Sequence, residues 1–454
     1  MRVHFIAIGG AAMHNLAIAL HLKGFKVTGS DDAVYEPSKT RLNKHGILPK
    51  AEGWHPQNIT KDLDAIILGM HARIDNPELL RAQELGLKVY SYPEYVYEQS
   101  KDKLRVVVGG SHGKTTITSM VLHVLNYHRK DFDYLVGAQI AGFDNMVKLS
   151  GAPIIVIEGD EYLASPIDRR PKFHLYNANI GIISGVAWDH INVFPTFESY
   201  KNQFSLFIDT ITPNGTLIYC EEDDVLKDLV NLHQFKNKLE KIPYHTPLFE
   251  IKSGKTYLKT KQGELGINIF GKHNLMNLNA AKLACEKIGL SNEEFYEAIV
   301  SFAGAAKRLE LLAQNETSVV YKDFAHSPSK LKATIEAVKE QYPDRKLIAC
   351  IELYTFSSLN EDFLEEYAGT MNGADIAIVF VDEKTFFQKS LKPFSENKVI
   401  KAFSNDKIKF FNQAEKIKGY LESLEIKNTN LLMMSSGIFG GIDLVTLAKS
   451  MLKK

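Results

Sequence analysis

Apolar positions fall along the chain in short continuous runs that alternate with helically spaced ones. Val3-His4-Phe5-Ile6-Ala7-Ile8 reads as a buried strand, Gly9-Gly10 turns the chain, and Met13, Leu16, Ala17 and Leu20 then recur at helical spacing. A second strand over 26–29 leads into Ser30-Asp31-Asp32, and a third apolar run, Ala65-Ile66-Ile67-Leu68, leads into Gly69-Met70-His71. Strands alternating with helices in this way predict a parallel sheet with ligands at the carboxyl ends of its strands.

The pattern restarts after the charged stretch Lys101-Asp102-Lys103, where the strand 104–108 meets a second glycine-rich turn, and we expect a domain boundary there. Between Asn214 and Gly271, short turn-punctuated segments read as small strands attached to this middle region. A third α/β pattern follows Arg308, with strands expected over 319–321, 346–351, 376–381 and 430–434 and a helix over 329–341.

Composition acts mainly by exclusion. The 454 residues suffice for about three domains at ~150 residues each. The content, 45% hydrophobic and 24% charged, is that of an ordinary globular protein. Lys+Arg and Asp+Glu both total 54, so there is no broad electrostatic footprint for nucleic acid or anionic membrane, and anion recognition must be local. Cys220, Cys285 and Cys350 are far apart with no CxxC pair, which fits a reducing cytoplasm. No apolar run approaches the ~18 residues of a membrane span, so no membrane insertion is expected. Phe5–Leu20 has the outline of a signal peptide, but His14 and Asn15 interrupt it.

The strongest local signal is Gly109-Gly110-Ser111-His112-Gly113-Lys114-Thr115-Thr116, set between an apolar strand and a helix whose Ile117, Met120, Val121, Val124 and Leu125 share a face. Backbone N–H groups at such a helix start point at phosphate oxygens, Lys114 can reach the β and γ phosphates, and the Thr115 hydroxyl can hold Mg²⁺. The strict GxxxxGK[ST] spacing is broken, because Val108 stands at the first glycine position. Downstream, the run 154–157 delivers Glu158-Gly159-Asp160-Glu161-Tyr162, and the run 180–184 leads to Trp188-Asp189-His190. Carboxylates and a histidine at strand ends beside a phosphate loop suit a metal. Taken singly, each also fits a helix cap or a satisfied buried histidine.

The shorter form Gly110-x-x-Gly113-Lys114-Thr115 resembles that of the Mur ligase family, and the resemblance extends over essentially the whole chain. It implies an α/β protein of three domains. These are an N-terminal Rossmann-like UDP-binding domain over 1–101, a central P-loop ATPase domain with a small β insertion over 102–306, and a C-terminal Rossmann-like domain over 307–454. It implies ATP as co-substrate, Gly110, Ser111, His112, Gly113, Lys114, Thr115 and Thr116 as its phosphate cradle, and Thr115, Glu158 and His190 as metal-site residues, with Glu161 next. The segment Gly271-Lys272-His273-Asn274-Leu275-Met276-Asn277 resembles the part of the family that borders the base, which points to Asn274 and Asn277. An N-cap role for Asn274 stays open. By the same resemblance Arg308 reaches the γ phosphate when the third domain closes, and Asp323 with His326 borders the ribose. A surface ion pair is the plainer alternative for Arg308. No carbamylated lysine is expected, since the corresponding place falls near Ser205 with only Lys201 close by.

In the first domain, Gly9-Gly10-Ala11-Ala12-Met13 lacks the GxGxxG spacing of a dinucleotide site, although Asp31 follows at about the right distance. The helix start at Gly10–Met13 suits a diphosphate. The resemblance assigns this place to the UDP of a UDP-sugar, with Gly9, Gly10, Ala11, Ala12 and Met13 at the diphosphate and Asp31, His71 and Asn76 lining the nucleotide. Structural roles for those last three stay open.

Within the family, Asp160-Glu161-Tyr162, Ile167-Asp168-Arg169-Arg170-Pro171-Lys172-Phe173, Asp189-His190-Ile191-Asn192-Val193-Phe194-Pro195 and Met434-Ser435-Ser436-Gly437-Ile438-Phe439-Gly440-Gly441-Ile442 are similar to a recycling branch. That branch attaches the tripeptide L-Ala-γ-D-Glu-meso-diaminopimelate to UDP-N-acetylmuramate, whereas another adds free L-alanine. Ile351-Glu352-Leu353-Tyr354-Thr355-Phe356-Ser357 departs from the branch, standing where relatives carry an arginine-containing loop near the amine substrate. The reaction implied is ATP-dependent amide formation through an acyl phosphate, with Lys114, Glu158, His190 and Arg308 as catalytic residues and with domain closure. A nicotinamide oxidoreductase would leave the second glycine turn unexplained. A nucleotide- or UDP-sugar-binding module without catalysis is the remaining alternative, and substrate-dependent ADP release separates the two.

Overall fold

The computed structural model describes residues 1–140, 142–189, 193–304, 308–389 and 391–453. Its chain forms two compact units, the first made of Met1–Val186, Thr196–His245 and Ala280–Ala298, the second of Ala187–Pro195, Thr246–Asn279 and Ile299–Lys454.

The first unit holds two sheets. A four-stranded parallel sheet runs in the order Lys26–Ser30, Arg2–Ile6, Ala65–Leu68, Val89–Ser91. The expected glycine turn then leads into the helix Ala11–Leu22. A seven-stranded sheet has Leu104–Gly109 at its centre, flanked by Ile154–Glu158 on one side and Ile180–Ile183 on the other, all parallel. Because these three strands pair in the same direction, Val108 faces Glu158 and Gly109 faces Ile183 across the ladder. The ends that carry the candidate chemistry are thereby drawn together. Such strands are buried on both faces, which is why they read as unbroken apolar runs without period-2 alternation.

The expected boundary near residue 102 is clasped by Arg105, a buried cation. Its Nη1 donates to the carbonyls of Ser100, Lys101 and Lys103 at 3.0, 2.7 and 3.0 Å, and its Nε to those of Tyr176 and Asn177 at 3.0 and 2.9 Å.

The second unit is built on a six-stranded sheet in the order Glu310–Gln314, Val319–Asp323, Thr429–Met434, Lys346–Glu352, Ile376–Phe380, Lys409–Phe411. Only the first pair is antiparallel among these described strands. Alternate residues of the strand Lys346–Glu352 serve opposite cores, Ala349 and Ile351 packing with Leu331 and Ile335, Ile348 and Cys350 with Ile417, Leu421 and Leu447. The antiparallel meander Phe249–Lys252, Lys255–Thr260, Gly263–Ile267 belongs to this unit. It is held there by the buried Gln341, whose amide takes the Thr256 hydroxyl at 3.0 Å and donates to the Gly254 carbonyl at 2.6 Å. No helix among the described residues is long and apolar enough to cross a membrane.

Candidate active site

The glycine turn after the central strand enters the helix Lys114–Tyr127 through Gly113, at φ +79°. Gly110 takes φ +128°, and a Cβ built there would lie 2.1 Å from the Ser184 hydroxyl oxygen, so the turn accepts no side chain at that point. The Ser111 N–H donates to the Gly185 carbonyl at 3.0 Å, and the Ser184 hydroxyl to the His112 carbonyl. The loop is therefore moulded onto the end of the neighbouring strand, leaving its remaining amides at the start of a four-turn helix, where the macrodipole favours an anion. The Ser111 and Thr116 side chains are buried, so whatever they offer a phosphate comes from the backbone.

Lys114 donates to the Gly110 carbonyl at 2.6 Å and to the Glu161 carboxylate at 2.7 Å. Burial pulls the ammonium down, but the Glu161, Asp160 and Glu158 carboxylates outweigh it and hold its pKa above the ordinary lysine value. Glu161, 1% exposed, also accepts the Tyr200 hydroxyl at 3.1 Å. Having one proton and giving it to the carboxylate, Tyr200 must accept from the Ser111 hydroxyl, 2.9 Å away. A chain of four side chains thus ties the loop to the strand end and to the helix Phe197–Thr210.

Beside this chain, the Thr115 hydroxyl donates to Glu158 Oε1 at 2.7 Å, while Glu158 Oε2 accepts from the Gly137 N–H at 2.8 Å. Two hard oxygen donors within hydrogen-bond reach, one of them anionic, match the chemistry that Mg²⁺ prefers. Among the described residues no cluster of three or more His, Cys, Asp or Glu side chains forms a metal cage. His190 lies outside the described residues. Asp189, its neighbour in the second unit, has its carboxylate 3.7 Å from the Lys330 ammonium. Lys201 is paired with Glu198 at 2.8 Å.

At the turn of the first sheet, Asp31 Oδ2 accepts the Gly9 N–H at 2.7 Å, so these two candidates are brought together. Burial raises the Asp31 carboxyl above its usual range, opposed by the Gly9 amide. Ala11 and Ala12 are exposed at the helix start, Met13 is buried, and His71 is exposed. Asn76 is buried as the N-cap of the helix Pro77–Glu84, its side chain accepting from the Glu78 and Leu79 amides. Its oxygen is committed to that helix.

In the second unit, Asn274 sits in the first turn of the helix Lys272–Ile288 and donates to the Phe270 carbonyl at 3.1 Å, which is not the accepting role of an N-cap. Asn277 is 6% exposed. Asp323 accepts from the Leu309 and Ala325 amides, both at 2.7 Å, and burial raises its carboxyl while Arg308 opposes the rise. The Arg308 guanidinium lies 5.1 Å from the centroid of the Phe324 ring. His326 donates from Nδ1 to the Phe324 carbonyl at 2.8 Å, and burial depresses its pKa to about 3, leaving a neutral ring.

Sequence reasoning missed Tyr200, and treated His14 and Asn15 only as interruptions. His14 Nδ1 lies 2.9 Å from the Gly10 carbonyl and 3.0 Å from the Ser38 hydroxyl. Asn15 accepts the Met146 N–H at 3.1 Å, and its carbonyl accepts from the Asn145 amide at 3.0 Å. Arg41 completes the seam by donating to the Asp144 carbonyl and to Asn145 Oδ1, both at 2.9 Å. Two polar residues in an apolar helix stripe were the available signal, since buried polar groups need partners.

Three family models match the chain: the Mur ligase family catalytic domain over residues 2–103, the Mur ligase middle domain over 108–285, and the Mur ligase glutamate ligase domain over 307–437. The UDP-N-acetylmuramate–L-alanine ligase of Caldicellulosiruptor bescii is 30% identical over 388 residues, covering 83% of this chain and 82% of that protein. The UDP-N-acetylmuramate–L-alanyl-gamma-D-glutamyl-meso-2,6-diaminoheptandioate ligase of Haemophilus influenzae is 27% identical over 465 residues, 99% of each. Among solved structures, a murein peptide ligase from Psychrobacter arcticus matches with a TM-score of 0.64 at 23% identity, covering 100% of this chain and 98% of that one.

Proposed function

This chain belongs to the Mur ligase family, whose members form amide bonds at the expense of ATP, and from that premise we propose that it joins the tripeptide L-Ala-γ-D-Glu-meso-diaminopimelate to UDP-N-acetylmuramate. The observation that carries the reading is the pairing of Lys114 and Thr115 on a phosphate loop with Glu158 on the adjacent strand, Thr115 to Glu158 being 2.7 Å.

A carboxylate is a poor electrophile, because resonance and negative charge both repel an amine. Phosphorylation turns one of its oxygens into a leaving group. The lactyl carboxylate attacks the γ phosphorus of ATP, the bond from that phosphorus to the β–γ bridging oxygen breaks, and ADP departs. Lys114 and the loop amides stabilise the charge that grows on the phosphate oxygens. Thr115 and Glu158 would hold Mg²⁺, which supplies further neutralisation of the phosphates. The amine then attacks the acyl carbon and loses a proton, and the C–O bond to phosphate breaks, leaving an amide and inorganic phosphate. The helix start at Gly10–Met13 binds the diphosphate of the sugar nucleotide in this reading, while Asp31 fixes the turn ahead of it by taking the Gly9 N–H.

The full-length match to the tripeptide-adding relative supports the peptide as amine. A second reading, free L-alanine, is favoured by the 30% identity to an alanine-adding relative. The test is incubation with ATP, Mg²⁺ and UDP-N-acetylmuramate plus either amine, read by product mass. The tripeptide adduct with one ADP per amide is expected. An alanine adduct alone would transfer the assignment to the second reading, and no amide with either amine would reduce the protein to a binder.

A further inference from the structure

Three loops leave the carboxyl edge of the six-stranded sheet side by side. The first follows the strand Lys346–Glu352 and carries Tyr354 and Phe356. The second follows Ile376–Phe380 and runs through the short helix Glu383–Gln388 to Lys389. The third follows Thr429–Met434 and carries Gly437 and Ile438. The Lys389 ammonium lies 4.9 Å from the centroid of the Tyr354 ring and 4.2 Å from that of Phe356. No carboxylate among the described residues pairs with it. Burial holds this ammonium below the ordinary lysine range, so a partly desolvated cation stands here with ring faces in place of a counter-ion.

The floor beneath it is firm. A Cβ at Gly437 would lie 2.7 Å from the Tyr354 ring, and the buried Glu352 accepts the Phe439 N–H at 2.8 Å and the Ser435 hydroxyl, which fixes the third loop against the first. The rim, by contrast, is apolar and open, with Phe356 60%, Phe387 88% and Ile438 70% exposed. Carboxyl edges of parallel strands are where such sheets bind ligands. Asp323 ends a strand of this same edge, next to Thr429–Met434.

We propose that Lys389, held against Tyr354 and Phe356, is the specificity-determining cation that takes a free carboxylate of the amine substrate while the apolar rim covers its aliphatic part. This rests on the reading that the chain has an amine co-substrate, and it supplies the positive charge that the 351–357 loop lacks. An ammonium on a flexible stem binds carboxylate as a point charge, without the planar fork an arginine would impose.

The test uses the full chain with a non-hydrolysable ATP analogue and UDP-N-acetylmuramate, and calorimetric titration with the tripeptide and with its carboxamide forms. The parent chain is expected to prefer the carboxylate form at least ~10-fold over one of the carboxamides. Lys389→Met should abolish that preference and Lys389→Arg retain it, with melting temperatures matching the parent. An equal preference in parent and Lys389→Met, or none in the parent, overturns the inference. Amide formation assayed separately with the parent judges the ligase reading, so the two can fail independently.

Discussion

The Lys114 ammonium is 2.7 Å from the Glu161 carboxylate, and both groups are withdrawn from solvent. This lysine is therefore largely desolvated and anchored by two hydrogen bonds. Its charge is already fixed at the mouth of the helix by the Gly110 carbonyl and the Glu161 carboxylate, and in the proposed reaction a γ phosphate would exchange for the carboxylate contact.

Removing that charge should abolish catalysis. Lys114→Ala is expected to lower ATP-dependent amide formation by roughly 10²–10³-fold or more, the usual cost of losing one preorganised donor at a developing negative charge. The variant also leaves Glu161 buried without its cation, so Lys114→Ala with Glu161→Gln is the matched control for folding. Coupled assay of ADP release checks both. Near-normal turnover by either would refute the role.

Glu158→Gln preserves an oxygen for the Gly137 N–H, 2.8 Å from Glu158 Oε2 in the parent, while deleting the anion. The Mg²⁺ concentration for half-maximal activity should rise about 10–100-fold, as for other losses around a metal ligand set. A magnesium titration at saturating ATP measures it, and an unchanged midpoint removes Glu158 from the metal site.

Tyr200→Phe cuts the chain Ser111–Tyr200–Glu161 at its middle without changing shape. Losing these bonds costs about 1–3 kcal/mol, because Ser111 and Glu161 keep buried polar atoms with one partner fewer. We expect the penalty in kcat and in KM for ATP, with KM for UDP-N-acetylmuramate within two-fold. A loss confined to thermal stability would make Tyr200 purely structural.

His174 provides a pH signature. Buried and stacked on Phe173, with Nε2 donating to the Gln203 carbonyl at 2.7 Å, it has its pKa depressed from 6.5 to about 4, chiefly by desolvation. Between those values the unfolded chain binds more protons than the folded one. Stability contributed by the neutral ring is thus full above about pH 6.5 and is lost as pH falls toward 4, by at most ~3 kcal/mol. His174→Gln, which keeps a donor, should flatten urea midpoints across that window. An unaltered slope would assign the acid sensitivity elsewhere.

Much of this was legible from local pattern. Strand, turn and helix around Gly110–Thr115 lie within a few residues of one another, and parallel pairing sets Glu158 opposite Val108, at the foot of the turn that carries Thr115. Tyr200 was not legible, since it joins Ser111 from 89 residues away and looks like any aromatic on an amphipathic helix. Asn76 shows how one residue can carry two readings: a polar side chain there suits a ligand, and the proline following it makes its oxygen a helix cap. The meander over 249–267 reads locally as strands, but its allegiance depends on Gln341, some 85 residues further on. Long-range partners of this kind leave no periodic trace.

Arg105 has a wider consequence. A lone guanidinium that spends five donated bonds on the carbonyls around residue 102 turns what looks like a linker into a weld. The turn at Gly9, proposed for the sugar nucleotide, and the turn at Gly110, proposed for the triphosphate, therefore travel as cargo on a single chassis. Proteases that nick loose interdomain tethers should find no foothold at Lys101 or Lys103.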